Sequence, residues 1–373
     1  MKPNRELLRP LAEEIFTIIL EQATPAQWGN WLRAPLEHAA ARGDLELVKK
    51  LLDAGANGEA GWKGCDGRTL LSAAAEGGND AIVSALLATG SQPDVNVRSG
   101  CKRQTPLHRA VVRGHADVVK TLVRAGARVG IPDSEKRGPL HLAIKGGHNL
   151  LVSYLLTTGI CPNEKDTGGN SPLHIATALG NDQIVSELVH KTDKDAVNAQ
   201  ALSPLHLAAI HNHIGVAKVL LVAGANADLR HLPGGKTALH RCAELGHLEV
   251  IQLLIEHGAD VNRAITNGFT ALHLATAQNN PRAIDCLVSL GANTEEPLDE
   301  LGFTSLHFGV ICMAYEAVCA LLENGANPRA QGSEDQTPLH LATRVVGRNT
   351  WKIVDLLLRY GANETALDAS GCT

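Results

Sequence analysis

Seventeen histidines run through this chain, and their spacing is the first test of whether it carries chemistry. Eight of them, His108, His141, His174, His206, His240, His273, His307 and His340, each fall three residues after a hydroxyl residue or a glycine. An imidazole can ligate zinc or act as a base near neutral pH. It can equally bond a helix-capping hydroxyl and a neighbouring backbone group. A residue kept at one fixed distance from a cap serves the cap, so the structural role is expected for all eight. His206, His211 and His213 lie close together but follow the same register, and no zinc site is expected there.

Other chemistry is equally thin. Gly234-Gly235-Lys236-Thr237 resembles the end of a phosphate-binding loop, but the first glycine of that loop would fall at position 230, which is Arg. Neither Gly-x-Ser-x-Gly nor His-Glu-x-x-His occurs. Carboxylates are scattered, so no acid–base pair can be nominated. The expectation is a chain that is not an enzyme and needs no metal or cofactor. Eight cysteines (Cys65, Cys101, Cys161, Cys242, Cys286, Cys312, Cys319, Cys372) stand at unequal spacings without a Cys-x-x-Cys pair. They read as reduced thiols of an intracellular protein. Residues 7–20 are too interrupted by charge and proline for a secretory leader, and no run of eighteen apolar residues exists to insert in a membrane. A cytoplasmic chain is expected, with the nucleus as the second compartment.

The elements that position these histidines repeat. Thr337-Pro338-Leu339-His340 recurs as Thr105-Pro106-Leu107-His108, Ser171-Pro172-Leu173-His174 and Ser203-Pro204-Leu205-His206, with looser copies from Ala34, Thr69, Gly138, Thr237, Thr270 and Thr304. The ten starts are 32 to 36 residues apart, the period of a solenoid. Within each copy a hydroxyl caps a helix, Pro suits its first turn, and Leu points inward. Gly43, Gly78, Gly114, Gly147, Gly180 or Gly246 then ends the helix in a left-handed conformation, with Asn212 and Asn279 in the same slot. A second helix carries apolar pairs such as Val118-Val119 and Leu253-Leu254 and stops at Gly-Ala. A polar hairpin rich in Asn, Asp and Gly leads to the next start.

Thr-Pro-Leu-His, the pairs Gly114-His115, Gly147-His148 and Gly246-His247, and Gly258-Ala259-Asp260-Val261-Asn262 together resemble the ankyrin repeat. The resemblance covers residues 34–373 in about ten copies, with residues 1–33 expected to form an N-terminal helical cap. It implies an all-α solenoid of helix–loop–helix units joined by short hairpin loops, a monomeric array that binds proteins on its concave side. Three departures stand out. Glu37 and Ser72 replace the histidine, so copies one and two are expected to lose its hydrogen bond. Copy five ends Lys191-Thr192-Asp193 without Gly-Ala, and copy ten has about three extra residues around 346–349. Thr373 holds the first position of an eleventh copy, which suggests a longer array or a partner covering this end.

The residues before each cap and late in each first helix are expected to face a partner. In copies three and four those slots hold Lys102, Arg103, Arg113, Lys136, Arg137 and Lys145. Residues 98–145 carry eleven Lys or Arg against three Asp or Glu. This is either ordinary solvated charge or a basic patch for an acidic segment of a protein or peptide. Later slots turn apolar: Leu202, Ile210, Leu245, Phe269, Phe303 and Ile311. Phe269 and Phe303 read either as exposed anchors for a partner or as braces between hairpins. The function expected is a protein-interaction scaffold. Two alternatives stay open, a repeat-bearing part of an enzyme or channel extending beyond residue 373 and a nucleic-acid-associated regulator. Nucleic acid is disfavoured by the net charge of −5 and the lack of stacking aromatics in the patch.

Overall fold

Proline after a hydroxyl, then Leu-His and paired small residues, should give short capped helices, and it does. The computed structural model describes residues 33–53, 69–88, 93–230, 234–298, 302–345, 347 and 350–373. The expected N-terminal cap and the extra residues 346, 348 and 349 lie outside them. Among the described residues are twenty α-helices in ten pairs and no strand, only isolated bridges at Ser99–Gln104 and Leu298–Phe303. No described helix is long and apolar enough to cross a membrane.

The chain divides into two blocks, Met1–Thr167 and Gly168–Thr373. The first holds α1 (Arg33–Arg42), α2 (Leu45–Asp53), α3 (Leu70–Gly77), α4 (Asp80–Ala88), α5 (Pro106–Arg113), α6 (Ala116–Arg124), α7 (Pro139–Lys145) and α8 (Asn149–Thr157). In it α1, α3, α5 and α7 pack in succession, as do α2, α4 and α6. The second holds α9 (Pro172–Ala178), α10 (Asp182–Leu188), α11 (Pro204–Ile210), α12 (Ile214–Val222), α13 (Ala238–Leu245), α14 (Leu248–Glu256), α15 (Ala271–Ala277) and α16 (Pro281–Ser289). It continues with α17 (Ser305–Ile311), α18 (Tyr315–Glu323), α19 (Pro338–Arg344) and α20 (Thr350–Arg359). First helices again stack on first helices and second on second.

Both cores are aliphatic. Leu107, Val111, Val118, Val119 and Leu122 are fully buried in copy three, and Leu272, Ile284 and Leu287 in copy eight. Such a side chain contributes about 1.5–3 kcal/mol on burial, and no single short helix could bury it alone.

The recurring histidine works as the spacing predicts. Thr105 N–H donates to His108 Nδ1 at 3.2 Å and the Thr105 hydroxyl lies 2.7 Å from the same nitrogen. Nδ1 therefore accepts, which leaves the proton on Nε2. That nitrogen donates to the residue just before the next cap: His174 to Leu202 O, His206 to Lys236 O, His307 to Gln336 O and His340 to Cys372 O, at 3.0–3.2 Å. Each of these four rings ties its own helix start to the following hairpin, whereas Nε2 of His108, His240 and His273 is buried with no hydrogen-bond partner among the described residues. Burial pushes His108, His240, His273 and His307 down to about 4, so these rings are neutral at pH 7.

Ser72 departs from expectation. Its hydroxyl lies 2.9 Å from the Thr69 cap and 3.2 Å from Ser99 in the next hairpin, so copy two keeps a shorter version of the link. A second set of imidazoles follows the left-handed residue that closes the first helix, glycine before His115 and His148 and Asn212 before His213. His115, His148 and His213 direct Nε2 at Glu76 O, Val112 O and Ala178 O of the preceding copy, 3.1–3.2 Å away. Gly114 has φ +79°, and a Cβ there would meet the His148 ring at 2.7 Å, so only glycine fits. Asn212 and Asn279 are left-handed as expected, and Met313 joins them. Copy five ends without glycine by turning back on itself, with Lys191 N–H and the Thr192 hydroxyl both donating to Leu188 O.

Candidate protein-binding face

The first helices of the N-terminal block place equivalent residues one above another. Glu76 and Val112 sit late in α3 and α5, Lys145 late in α7, and Arg109 and Arg113 lie one turn apart on α5. With the hairpin residues Cys101, Lys102, Gln104 and Arg137 they wall a groove of about 660 Å³, floored by Leu142 and Gly146. Five cations and one carboxylate line it.

That carboxylate is clamped. Arg109 Nη1 donates to Glu76 Oε2 at 3.0 Å and Arg113 Nη2 to Oε1 at 2.9 Å, one oxygen to each guanidinium. The Arg109 side chain is 11% exposed, that of Arg113 58%. Arg137 is also engaged. It is buried, with Nη2 2.8 Å from Asp133 Oδ2 and Nη1 3.0 Å from Glu135. Burial alone would raise the Asp133 carboxyl. Hydrogen bonds from the Arg137 side chain and from the backbone N–H groups of Arg137 and Glu135 outweigh it and hold that carboxyl below its ordinary value.

Of the six cations nominated from sequence, Lys102, Arg113, Arg137 and Lys145 converge on this groove. Arg137, read as either solvated charge or part of a basic patch, is instead buried and neutralised, because the turn that places it also supplies its counter-charge. Arg103 and Lys136 sit at exposed hairpin tips in left-handed conformation, φ 50° and 58°, and are not among the residues lining the groove. Arg109, Glu76 and Val112 were not nominated. For Arg109 the signal was a charge at a slot that holds Leu142, Leu207 or Leu274 in other copies, while Glu76 and Val112 share the slot of Lys145.

In the C-terminal block the same slots are apolar or self-neutralised. Leu245 is 50% and Ile311 39% exposed, while Ile210 is half-buried. Leu202 is buried beneath its own hairpin and gives its carbonyl to His174. Phe269 and Phe303 are both half-buried. The Phe269 ring meets Phe308 of the next copy edge-on at 5.0 Å, and Phe303 stacks on His307 at 5.3 Å. Glu244 stands where Glu76 stands in its copy, bonded to Lys236 at 2.7 Å and Arg241 at 3.2 Å. Among the described residues no cluster of His, Cys, Asp and Glu could hold a metal ion.

Family models for ankyrin repeats match residues 36–133, 123–200, 179–265, 262–332 and 334–369. The chain belongs to the ankyrin repeat family. Curated relatives share about a third of aligned residues. The chicken (Gallus gallus) nuclear factor NF-kappa-B p105 subunit is 31% identical over 167 residues, 43% of this chain and 16% of the relative. The human neurogenic locus notch homolog protein 1 is 33% identical over 156 residues, 42% of this chain and 6% of the relative. An ankyrin repeat protein of Fowlpox virus (strain NVSL) is 31% identical over 177 residues, 46% of this chain and 50% of the relative. The chain thus spans half or less of the length of each. Ankyrin repeats are protein-interaction modules, and this array carries the family's scaffold with its own set of side chains on the first-helix face.

Proposed function

We propose that this ankyrin array is a non-enzymatic, monomeric cytoplasmic scaffold that captures a protein segment along its first-helix face, with an acidic stretch of the partner lying on the N-terminal block. The observation that carries this reading is the groove in which Lys102, Arg109, Arg113 and Lys145 converge from adjacent copies around a single carboxylate. A surface fixed by stacked repeats loses little ordering entropy when it binds. Surplus cations speed encounter with an acidic partner and make it salt-dependent. In the C-terminal block, exposed Leu245 and Ile311 offer apolar contacts of the kind that anchor a protein ligand.

The test compares the intact chain with a variant in which Lys102, Arg103, Arg113, Lys136 and Lys145 are all Gln. Both are titrated at low and physiological salt against an acidic polypeptide and against duplex DNA. Binding of the acidic polypeptide that weakens with salt and is lost in the variant supports the reading. Equal binding by the two forms sinks it, and preference for DNA replaces it with nucleic-acid association.

A further inference from the structure

Among the described residues, Glu76 is the one acid lining a groove that also carries five cations, and it bridges two copies. It belongs to copy two, whereas both arginines that hold it belong to copy three. The α3 and α5 helices already pack through aliphatic residues, among them Leu71, Ala74, Ala75, Leu107, Ala110 and Val111, all buried. One partner, Arg113, is mostly exposed, and Lys102 and Lys145 stand nearby with no paired carboxylate among the described residues. Beside them Val112 is 43% exposed.

We propose that Glu76 is a tethered stand-in for a ligand carboxylate, and that the groove takes an extended acidic peptide. A carboxylate of the peptide displaces Glu76 from Arg113, while an adjacent aliphatic side chain rests on Val112. This rests on the reading of the N-terminal block as an acidic-segment site. The split clamp, one oxygen per guanidinium at 2.9–3.0 Å, shows that the arginine pair is already spaced for a carboxylate. The groove volume suits a few side chains, and no aromatic residue lines it for a base to stack upon. Displacement is easy at Arg113 because an exposed pair is weakly held. Arg109 is nearly buried and anchors Glu76. The ligand therefore competes with an internal acid, and only a segment with several closely spaced carboxylates gains enough to win. Glu76 raises the threshold for binding and so sharpens selectivity.

The experiment measures binding of a fluorescein-labelled peptide of alternating Glu and Leu, its Gln-Leu counterpart and a labelled DNA oligonucleotide by anisotropy. The full chain is compared with Glu76→Gln and Arg113→Gln, each shown by circular dichroism to retain the parent's helicity. Removing the internal competitor should tighten the Glu-Leu peptide about tenfold, the scale of one charge-assisted hydrogen bond, and Arg113→Gln should weaken it. The Gln-Leu peptide should bind none of the three forms. Glu-Leu binding that is unchanged or weaker in Glu76→Gln overturns the role of Glu76 and leaves the acidic-segment reading standing. No Glu-Leu binding by any form, or preference for DNA, overturns both. Should Glu76→Gln lose helicity, Glu76→Asp serves instead, since the shorter acid cannot span both arginines and the same tightening is expected.

Discussion

The two blocks carry a carboxylate at the same slot of a first helix but clamp it differently, Glu76 by the next copy and Glu244 by its own. In the N-terminal block Glu76 ties Arg109 and Arg113, and Lys102 and Lys145 remain as surplus positive charge. In the C-terminal block Glu244 ties Lys236 and Arg241, all three side chains are 22–30% exposed, and the neighbouring slots are Leu245 and Ile210. Backbone, cap and core are alike in both. What differs is the side chain at positions the scaffold does not need, so the residues that hold the stack and those that set the charge of its first-helix face are separate members of the same short helix.

Reversing charge in one block and not the other is the strongest way to break this comparison. Lys102→Glu with Lys145→Glu should weaken an acidic peptide by about a hundredfold or more, the scale of opposing charges at an interface. Lys236→Glu should leave peptide binding to the N-terminal block unaltered. Anisotropy titrations of both variants decide it, and equal losses would mean that binding follows net charge alone. Next in size are the caps. His108→Ala and His273→Ala each remove ring bonds of about 1 kcal/mol apiece and open a buried space, so each should cost about 2–3 kcal/mol. Urea unfolding should give matching losses if the scaffold is shared.

Acid should affect both blocks through those same rings. His108 in one block and His240, His273 and His307 in the other are held at about 4 by burial, whereas an unfolded imidazole titrates near its ordinary value. Between those two values the unfolded chain binds more protons. Stability from neutral rings is complete above pH about 6.5 and drains away as pH falls towards 4. Melting temperatures from pH 7.5 down to 4.5 should fall in that window, and more gently in His108→Ala. The smallest effect lies at the hairpin tips. Lys136 and Ala201 are left-handed at φ 58°, where Gly169, Gly235 and Gly268 serve other copies. Lys136→Gly and Ala201→Gly should each stabilise by up to about 1 kcal/mol, read from the melting temperature.

Architecture was legible in the sequence because one position fixes the next. A hydroxyl, a proline and an imidazole three residues after the cap define a helix start, and the interval to the following start defines the stack. The site was legible only in part. Lys102, Arg113 and Lys145 could be nominated because their slots repeat. The engagement of Arg137 by Asp133 depends on a hairpin closing over four residues, and spacing alone does not show which way the side chains fold back. Arg109 was hidden because its slot usually holds a leucine, so a polar residue there read as a helix surface. Phe308 was missed in the same way, and its contact turns Phe269 towards a neighbour. Ser72 shows the converse, since a short hydroxyl can replace an imidazole when the next hairpin also offers one.

The imidazole that fastens one cap to the following hairpin also sets where the stack would tear. A ring with partners on both sides acts as a rivet across the seam, whereas the hydroxyl of Ser72 meets Ser99 through one contact of 3.2 Å. Mechanical load would therefore open the seam after copy two before the joints closed by His174, His206, His307 and His340.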